Sequence, residues 1–329
     1  MRSGVLTTAL RGSRGACGTG NLSVTRRNDS TLRPRLADTP GVKLDHSVSP
    51  VLVIGARGML GRAVVSRLLE REIVVDTPPL ATLDLTKDDT IALGVGARRR
   101  LVINCAAYTD VDGAEASEEL ATTINGHGVS VLAGACRNAG ALLVTYSTDY
   151  VFNGAAATPY QTDQALDPLN AYGRSKAAGE RALAAAGGES LNIRTSWLYA
   201  PWAKNFVRTI AAAARARPLL RVVHDQRGRP TSAEHLARAS LRLIEAGATG
   251  NHHVTDGGEC TWFELATEIV RLAGLAGQCK VEPCTTAEFP RLAKRPAYSV
   301  LDLSKTEAIL GPMPHWTQNL ADVMRRLES

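Results

Sequence analysis

A tyrosine and a lysine four residues apart are the first candidates for chemistry in this chain. They are Tyr172 and Lys176, in the sequence Tyr-Gly-Arg-Ser-Lys. On a helix this spacing places both side chains on one face, where the ammonium group favours the phenolate and lowers the pKa of the tyrosine. Thr148, at the end of an apolar run that begins at Leu142, can hydrogen-bond a carbonyl oxygen beside the Tyr172 hydroxyl. Together the three residues predict a site for carbonyl reduction.

A glycine-rich turn supplies a candidate cofactor site. The apolar run at 51–54 leads into Gly55-Ala-Arg-Gly58-Met-Leu-Gly61 and then into apolar residues at helical spacing. A strand, a tight glycine turn and a helix N-terminus in this order bind the diphosphate of a dinucleotide. The spacing resembles that of the extended type of the short-chain dehydrogenase/reductase superfamily. Arg57 in the turn is placed to meet a 2′-phosphate, which favours NADPH, with NADH as the alternative.

The elements that must position these residues follow an alternating pattern. Strands are predicted at 51–54, 73–75, 101–103, 142–144 and 191–193, and helices at 58–70, 86–93, 172–186, 204–216, 233–245, 261–273 and 317–328. This alternation predicts an α/β fold, a Rossmann-type doubly wound parallel sheet with a smaller α/β substrate-binding lobe toward the C-terminus. We expect a disordered basic N-terminal extension at 1–48, an NAD(P)-binding Rossmann domain at 49–217, and mainly the substrate-binding lobe at 218–329. The last boundary is soft, because strands can cross between the lobes.

Composition excludes several classes of protein. The chain has 329 residues, 44% of them hydrophobic, and no apolar run approaches the roughly 18 residues of a membrane span. The six cysteines form no Cys-x-x-Cys pair, which predicts reduced thiols and a cytoplasmic protein.

The net charge of +6 is concentrated near the N-terminus. Residues 1–50 contain eight Arg or Lys against three Asp. This stretch is Arg- and Ser-rich and poor in acids, so a transit peptide and a polyanion-binding arm are alternatives to a plain extension. The nearly neutral remainder predicts neither a nucleic-acid nor a membrane partner.

Ordered blocks of sequence also resemble one enzyme family. Besides the glycine turn, they are Leu83-Asp-Leu-Thr86, Val102 to Asp112, Ser147 to Gly154, Pro168 to Lys176, Arg194 to Tyr199, Asp225 to Thr231 and Arg295 to Ser299. From about Val51 to Leu327 the chain resembles the dTDP-4-dehydrorhamnose reductases, which reduce the C4 ketone of dTDP-4-dehydro-L-rhamnose to dTDP-L-rhamnose for cell-envelope polysaccharides. Two departures are Asn153, where the family often has Asp, and Gly126-His127-Gly128, where a small residue is usual.

The resemblance implies a role for each matched residue. In the catalytic centre Tyr172 donates the proton, Lys176 holds the nicotinamide ribose and Thr148 polarises the carbonyl. The cofactor would contact Gly55, Arg57, Gly58, Met59, Leu60, Gly61, Asp84, Leu85, Ala106, Ala107, Tyr108, Tyr146, Tyr172 and Lys176. The substrate would contact Thr109, Val111, Thr148, Asp149, Trp197 and Arg295, the last at the diphosphate. Alternatives are a buried core aromatic for Trp197 and an exposed loop arginine for Arg295. A monomer or homodimer is expected.

A metal centre is not expected. His252 and His253 point different ways on a strand and have no accompanying ligand set. Glu115, Glu118 and Glu119 predict a solvated helix face. Some family members dimerise through carboxylates and magnesium, which this sequence does not specify.

Two other functions remain open from the sequence. One is another nucleotide-sugar epimerase or dehydratase of the same superfamily, which would recycle its cofactor. The other is a non-catalytic cofactor-sensing subunit, like the reductase-like partner of methionine adenosyltransferase. Retention of both Tyr172 and Lys176 argues against the second.

Overall fold

The computed structural model describes residues 42–45, 50–96 and 99–328. In chain order its first elements are β1 (Val51–Ile54), α1 (Met59–Leu69), β2 (Val75–Asp76), α2 (Asp88–Val95), β3 (Leu101–Asn104), α3 (Gly113–Ala116), α4 (Glu118–Thr122), α5 (Gly128–Ala139), β4 (Leu142–Thr148), α6 (Ala171–Ala186) and β5 (Ser190–Thr195). Then follow β6 (Leu198–Tyr199), α7 (Phe206–Ala216), β7 (Leu219–Val223), β8 (Arg227–Gly228), β9 (Thr231–Ser232), α8 (Ala233–Glu245), β10 (Gly250–His253), β11 (Cys260–Thr261), α9 (Trp262–Leu272), β12 (Lys280–Cys284), α10 (Ser304–Leu310) and α11 (Trp316–Glu328).

A six-stranded parallel sheet forms the centre of the molecule. Its strands lie in the order β2-β1-β3-β4-β5-β10, and every residue of β1, β3 and β4 is buried. Strands buried on both faces are expected to be continuously apolar, as the run at 51–54 is. The predicted doubly wound α/β fold is confirmed.

The two faces of the sheet carry separate cores. Val51 and Val53 pack with the apolar residues of α1 and α8, whereas Leu52 and Ile54 pack with those of α2 and α5. This follows from the two-residue period of a strand, which sends alternate side chains to opposite faces. The helices therefore cover both sides of the sheet.

The C-terminal part adds a third core and short sheets. Apolar residues of α7, α9 and α11 form one cluster with those of β7 and β12. Three two-stranded sheets pair β11 with β8, β12 with β7, and β6 with β9. β10, which lies beyond residue 218, joins the large sheet beside β5, so the chain crosses back before its final helices.

Several predicted boundaries differ from those of the structure. The strand predicted at 73–75 is Val75–Asp76, because the N–H of Ile73 still donates to Leu68 O at the end of α1, at 3.0 Å. Val42 and Leu44 belong to the segment predicted to be disordered, yet both pack against the core beside α1. The rest of that predicted extension, 1–41 and 46–48, lies outside the described residues.

Two further expectations concern cysteines and membranes. Within the described residues Cys105, Cys136, Cys260, Cys279 and Cys284 are free thiols. None of the helices there has both the length and the hydrophobicity of a membrane span.

A buried ion pair joins α6 to β5. The Arg194 guanidinium donates to both carboxylate oxygens of Glu180, at 2.6–3.1 Å, and both side chains are at most 5% exposed. Arg194 also donates to Thr162 O at 3.0 Å and lies 5.1 Å from the Phe152 ring centroid. α6 is thereby fixed against the sheet.

Glu180→Gln is expected to lower the free energy of unfolding by about 3–5 kcal/mol, since it leaves a buried guanidinium without its counter-charge. Urea unfolding measures the loss. The matched control is Glu118→Gln, which breaks an ion pair to Arg174 that is over 40% exposed at both ends and is expected to lose less than about 1 kcal/mol. Equal losses would contradict this account of α6.

Candidate active site

The glycine turn after β1 closes against the chain that leaves β3. Gly55 has φ 75°, and a Cβ there would lie 2.7 Å from the backbone nitrogen of Ala106. A Cβ on Gly61 would lie 2.2 Å from Gly55 O. Side chains are therefore excluded at both positions. Gly58 precedes α1 without a side-chain cap, so the first N–H groups of α1 remain available to an anion.

One cavity opens on the outer side of this turn, and we call it the loop cavity. Its volume is about 440 Å³. It is lined by Ile54, Gly55, Ala56, Arg57, Gly58, Thr77, Pro78, Pro79, Leu80, Leu83, Asp84, Leu85, Ala106, Ala107 and Ile124. The Asp84 carboxylate accepts from the backbone N–H and hydroxyl of Thr86, at 2.9 and 2.8 Å, and these bonds lower its pKa.

A second space, the central cavity, lies over the carboxyl ends of β3, β4 and β5. Its volume is about 640 Å³, and it shares Gly55, Gly58, Ala106 and Ala107 with the loop cavity. Predicted residues on its wall are Met59, Leu60, Thr109, Val111, Tyr146, Thr148, Asp149, Tyr172, Lys176 and Trp197. The two cavities thus form one elongated crevice, at the point in the sheet where the strand order reverses.

Tyr172 and Lys176 reach the central cavity because of how α6 begins. The Asn170 side chain caps the helix by accepting from the Gly173 N–H at 2.7 Å, and the Ala171 N–H donates to Glu115 Oε1 at 2.8 Å. A Cβ on Gly173 would lie 2.2 Å from Tyr150 O. This close approach sets the first turn of α6 directly beside the chain that leaves β4.

Burial controls the charges of the two residues. It raises the pKa of Tyr172 to about 12, helped by the nearby Asp149 and opposed by a hydrogen bond with Thr148. It lowers the pKa of Lys176 to about 8, opposed by Glu180. The expectation that the tyrosine pKa is lowered is therefore wrong for the chain by itself, because desolvation of the phenolate dominates.

Thr148 and Asp149 complete a polar row at the end of β4. The Thr148 hydroxyl donates to Asp149 Oδ1 at 3.0 Å and accepts from the Tyr150 N–H at 3.2 Å. Burial raises the pKa of Asp149 to about 7, opposed by hydrogen bonds from Ser299 and Thr148. Ser299 was missed as a site residue, although it ends the block that begins at Arg295.

An aromatic wall faces this polar row. Trp197, a non-glycine residue at φ 47°, stacks on Trp262 with ring centroids 3.5 Å apart. Phe206 lies 4.5 Å from Trp262, and all three rings line the central cavity. Trp262 and Phe206 were missed, because only the tertiary fold brings α7 and α9 to Trp197. The strained backbone at Trp197 is typical of a functional position.

Three predicted residues lie on neither cavity wall: Gly61, which packs inside the turn, Tyr108 and Arg295. The Arg295 guanidinium donates to both carboxylate oxygens of Asp112, at 2.8 and 2.9 Å, so its fork is already occupied. The Tyr108 backbone pairs with the Asn125 side chain, N–H to Oδ1 at 2.9 Å and Nδ2 to O at 3.0 Å. In the structure these residues buttress the crevice and do not face it.

His252 and His253 are core residues. His253 Nδ1 lies 2.9 Å from Asp302 O and Nε2 lies 3.2 Å from the Arg194 guanidinium. Burial lowers the pKa of both histidines. Within the described ranges no three His, Cys, Asp or Glu side chains are grouped as metal ligands.

Comparison with known proteins gives consistent matches. The family model described as RmlD substrate binding domain matches residues 49–329. A dTDP-4-dehydrorhamnose reductase of Streptomyces griseus is 40% identical over 279 residues, covering 82% of this chain and 91% of that protein. A dTDP-4-keto-6-deoxy-D-glucose reductase of Streptomyces niveus is 38% identical over 283 residues, covering 84% and 97%. A crystal structure of dTDP-4-dehydrorhamnose reductase from Bacillus anthracis in complex with NADP is 35% identical, with a TM-score of 0.81 over 84% of this chain and 99% of that one.

Gly61→Ala is expected to destabilise the protein by about 1–3 kcal/mol, because the new methyl group must push the turn away from α1. Urea unfolding measures the effect. Gly134→Ala in α5 is the control, since a Cβ there meets nothing within 4 Å, and it is expected to be neutral or slightly stabilising. Unchanged stability in the Gly61 variant would show that the turn is not tightly packed.

Proposed function

Because this chain belongs to the RmlD substrate binding domain family, we propose that it is an NAD(P)H-dependent reductase of a dTDP-linked 4-keto sugar. Its proposed substrate is dTDP-4-dehydro-L-rhamnose, and its product is dTDP-L-rhamnose. The observation that carries the proposal is the meeting of Tyr172, Lys176 and Thr148 on one wall of a cavity that continues into the glycine-turn crevice.

The crevice fits a dinucleotide. Gly55 and Gly61 keep the turn free of side chains, and a Cβ on Gly58 would lie 3.2 Å from Gly55 O. The residues proposed to hold the diphosphate are Gly58, Met59 and Leu60, at the start of α1. On the same surface Asp84 and Leu85 would flank the adenine, while Tyr146 and Lys176 would lie at the nicotinamide end.

The chain's own groups would handle the carbonyl oxygen and its proton. Bound NAD(P)H would supply the hydride for the sugar C4. Tyr172 keeps its phenolic proton at neutral pH, since its pKa is about 12, and it donates this proton to the oxygen as negative charge develops there. The Thr148 hydroxyl lies beside it and stabilises the same oxygen. Lys176, still largely protonated below its pKa of about 8, orients the ribose and adds positive charge.

The remaining cavity wall would hold the nucleotide sugar. Thr109 and Val111 follow β3, Asp149 follows β4, and Trp197 and Trp262 line the cavity as a stacked pair. Hydroxyl groups and a carboxyl group together with aromatic rings suit a sugar linked to a nucleotide base.

Purified protein is expected to oxidise NADPH in proportion to product when given dTDP-4-dehydro-L-rhamnose. Tyr172→Phe should lower kcat by roughly 10²–10⁴-fold, because it removes the proton donor while keeping the ring. Product analysis at fixed times measures the product formed, and the loss of absorbance of the reduced nicotinamide measures the NADPH oxidised. Initial rates of the two proteins give the change in kcat.

The outcomes separate the alternatives. dTDP-4-keto-6-deoxy-D-glucose, tested in parallel, reports on the choice of sugar. Product without net cofactor oxidation would indicate an epimerase or dehydratase. Full turnover by the Tyr172 variant would remove this residue from the mechanism.

We also propose a preference for NADPH over NADH. Arg57 lines the loop cavity and forms no ion pair within the described residues. Asp76, at the end of β2 where a carboxylate would bind the ribose 2′-hydroxyl of NADH, is instead paired with Arg99. The edge of the loop cavity therefore presents a free cation, which suits a 2′-phosphate.

Arg57→Ala is expected to weaken NADPH binding about tenfold or more and to leave NADH binding nearly unchanged, since only NADPH carries the 2′-phosphate. Fluorescence titration of each dinucleotide measures the two Kd values. Arg67→Ala is the control, because Arg67, in the helix α1 that follows the turn, pairs with Glu70 and lies outside the cavity. An unchanged Kd ratio would exclude the proposed role of Arg57.

A further inference from the structure

The carboxyl group of Asp149 is placed to do more than bind sugar. We propose that Asp149 is a proton reservoir of the active site, returning a proton to Tyr172 through the Thr148 hydroxyl after each reduction. The inference rests on the proposed reductase function and deepens it, because it assigns the step that regenerates the proton donor.

The three side chains lie together on the wall of the central cavity. The Thr148 hydroxyl is 3.0 Å from Asp149 Oδ1, and Thr148 is also close enough to Tyr172 to lower the pKa of its phenol. Thr148 is held in this position by the Tyr150 N–H, at 3.2 Å. A single hydroxyl thus bridges the phenol that gives up a proton and a carboxyl group that can replace it.

The second oxygen of Asp149 has no hydrogen-bond partner among the residues that the structure describes. Asp149 is 2% exposed, and its Oδ2 is a buried atom with no hydrogen-bond partner within the described part of the chain. The residue nevertheless lines the central cavity. A buried carboxylate oxygen without a donor is unfavourable, so Oδ2 calls for a proton, a water molecule or a ligand group from the cavity.

The surroundings of Asp149 leave its proton exchangeable. Thr148 donates to it from β4, Ser299 in the C-terminal segment lowers its pKa, and Asp149 in turn raises the pKa of Tyr172 in α6. Asp149 also raises the pKa of Tyr150, an effect that Arg295 opposes.

The more distant charged groups of the described chain form no ion pair with the Asp149 carboxyl group. Arg295 is neutralised by Asp112, and Lys176 lines the same cavity. Among the described residues no arginine or lysine forms an ion pair with Asp149. Burial therefore dominates and holds the pKa near 7, where both protonation states are populated at neutral pH.

The step balances in protons without any added reactant. After Tyr172 has given its proton to the carbonyl oxygen, its phenolate takes the Thr148 hydroxyl proton. The O–H bond of the Asp149 carboxyl group breaks as its proton passes to Thr148, so the threonine is unchanged. The net change is a carboxyl group and a phenolate becoming a carboxylate and a phenol, which is downhill because the two pKa values are about 7 and about 12. Water in the cavity then reprotonates the carboxylate.

The decisive variant is Asp149→Asn, which keeps the size of the side chain and an oxygen acceptor for Thr148 but holds no acidic proton. Steady-state kcat of the wild type, with saturating NADPH and substrate, is expected to fall as pH rises through about 7, as the reservoir loses its proton. In the variant kcat should be at least about tenfold lower and should no longer depend on this ionisation. The rate of a single reduction should fall less than steady-state kcat, since the first proton is already on Tyr172.

Ser299→Ala is the companion variant. Ser299 lowers the pKa of Asp149, so its removal should raise that pKa and move the fall in kcat to higher pH. Because Ser299 is on a different segment, this variant keeps the proposal testable if the Asn variant does not fold.

Each outcome decides the matter. An active wild type whose pH profile survives in Asp149→Asn, or does not move in Ser299→Ala, excludes the reservoir while leaving the reductase function intact. A single-turnover rate that falls as much as steady-state kcat would assign Asp149 to substrate binding alone. A wild type that does not oxidise NADPH with any dTDP-4-keto sugar would overturn the proposed function and the reservoir together.

Discussion

The close approach of two backbone turns is the constraint on which the site depends. Gly55 after β1 lies against Ala106 after β3 with no room for a Cβ between them. These two strands are neighbours in the sheet, with β2 on one side and β4 on the other. The chain leaves them toward opposite faces, which opens a crevice at their carboxyl ends. Since both cavities share Gly55 and Ala106, a side chain at Gly55 would push the two turns apart where the cavities meet.

Desolvation is the second common cause, and it acts on the three ionisable groups of the central cavity that the proposed chemistry uses. It raises the pKa of Tyr172 and of Asp149 and lowers that of Lys176. The signs differ because burial disfavours whichever form is charged. The result is a row of groups that carry protons at neutral pH, which suits a reaction that delivers a proton to oxygen. On a solvated helix face, a lysine four residues from a tyrosine would instead lower the pKa of the tyrosine.

Much of the fold could be predicted from the sequence, because its signals are local. The helix at 233–245 has the predicted limits, and the parallel sheet follows from apolar runs alternating with helical patterns. The walls of the loop cavity and the central cavity also contain most of the predicted site residues. Ser299, Trp262 and Phe206 could not be found in this way, since each enters the site through long-range packing. The direction of the Tyr172 pKa was wrong for a related reason, because spacing along a helix contains no information about burial.

The ion pair between Asp112 and Arg295 joins the chain that follows β3 to the C-terminal segment. Asp112 follows β3, and it accepts from the Ala293 N–H as well as from the Arg295 guanidinium. Four residues beyond Arg295, Ser299 lowers the pKa of Asp149. The backbone N–H of Ser299 donates to Arg227 O, and this hydrogen bond fixes the segment against β8. An arginine predicted to bind substrate phosphate thus holds the C-terminal segment against the chain that follows β3. Through Ser299, the C-terminal part of the chain reaches the charge of the buried carboxyl group beside Tyr172.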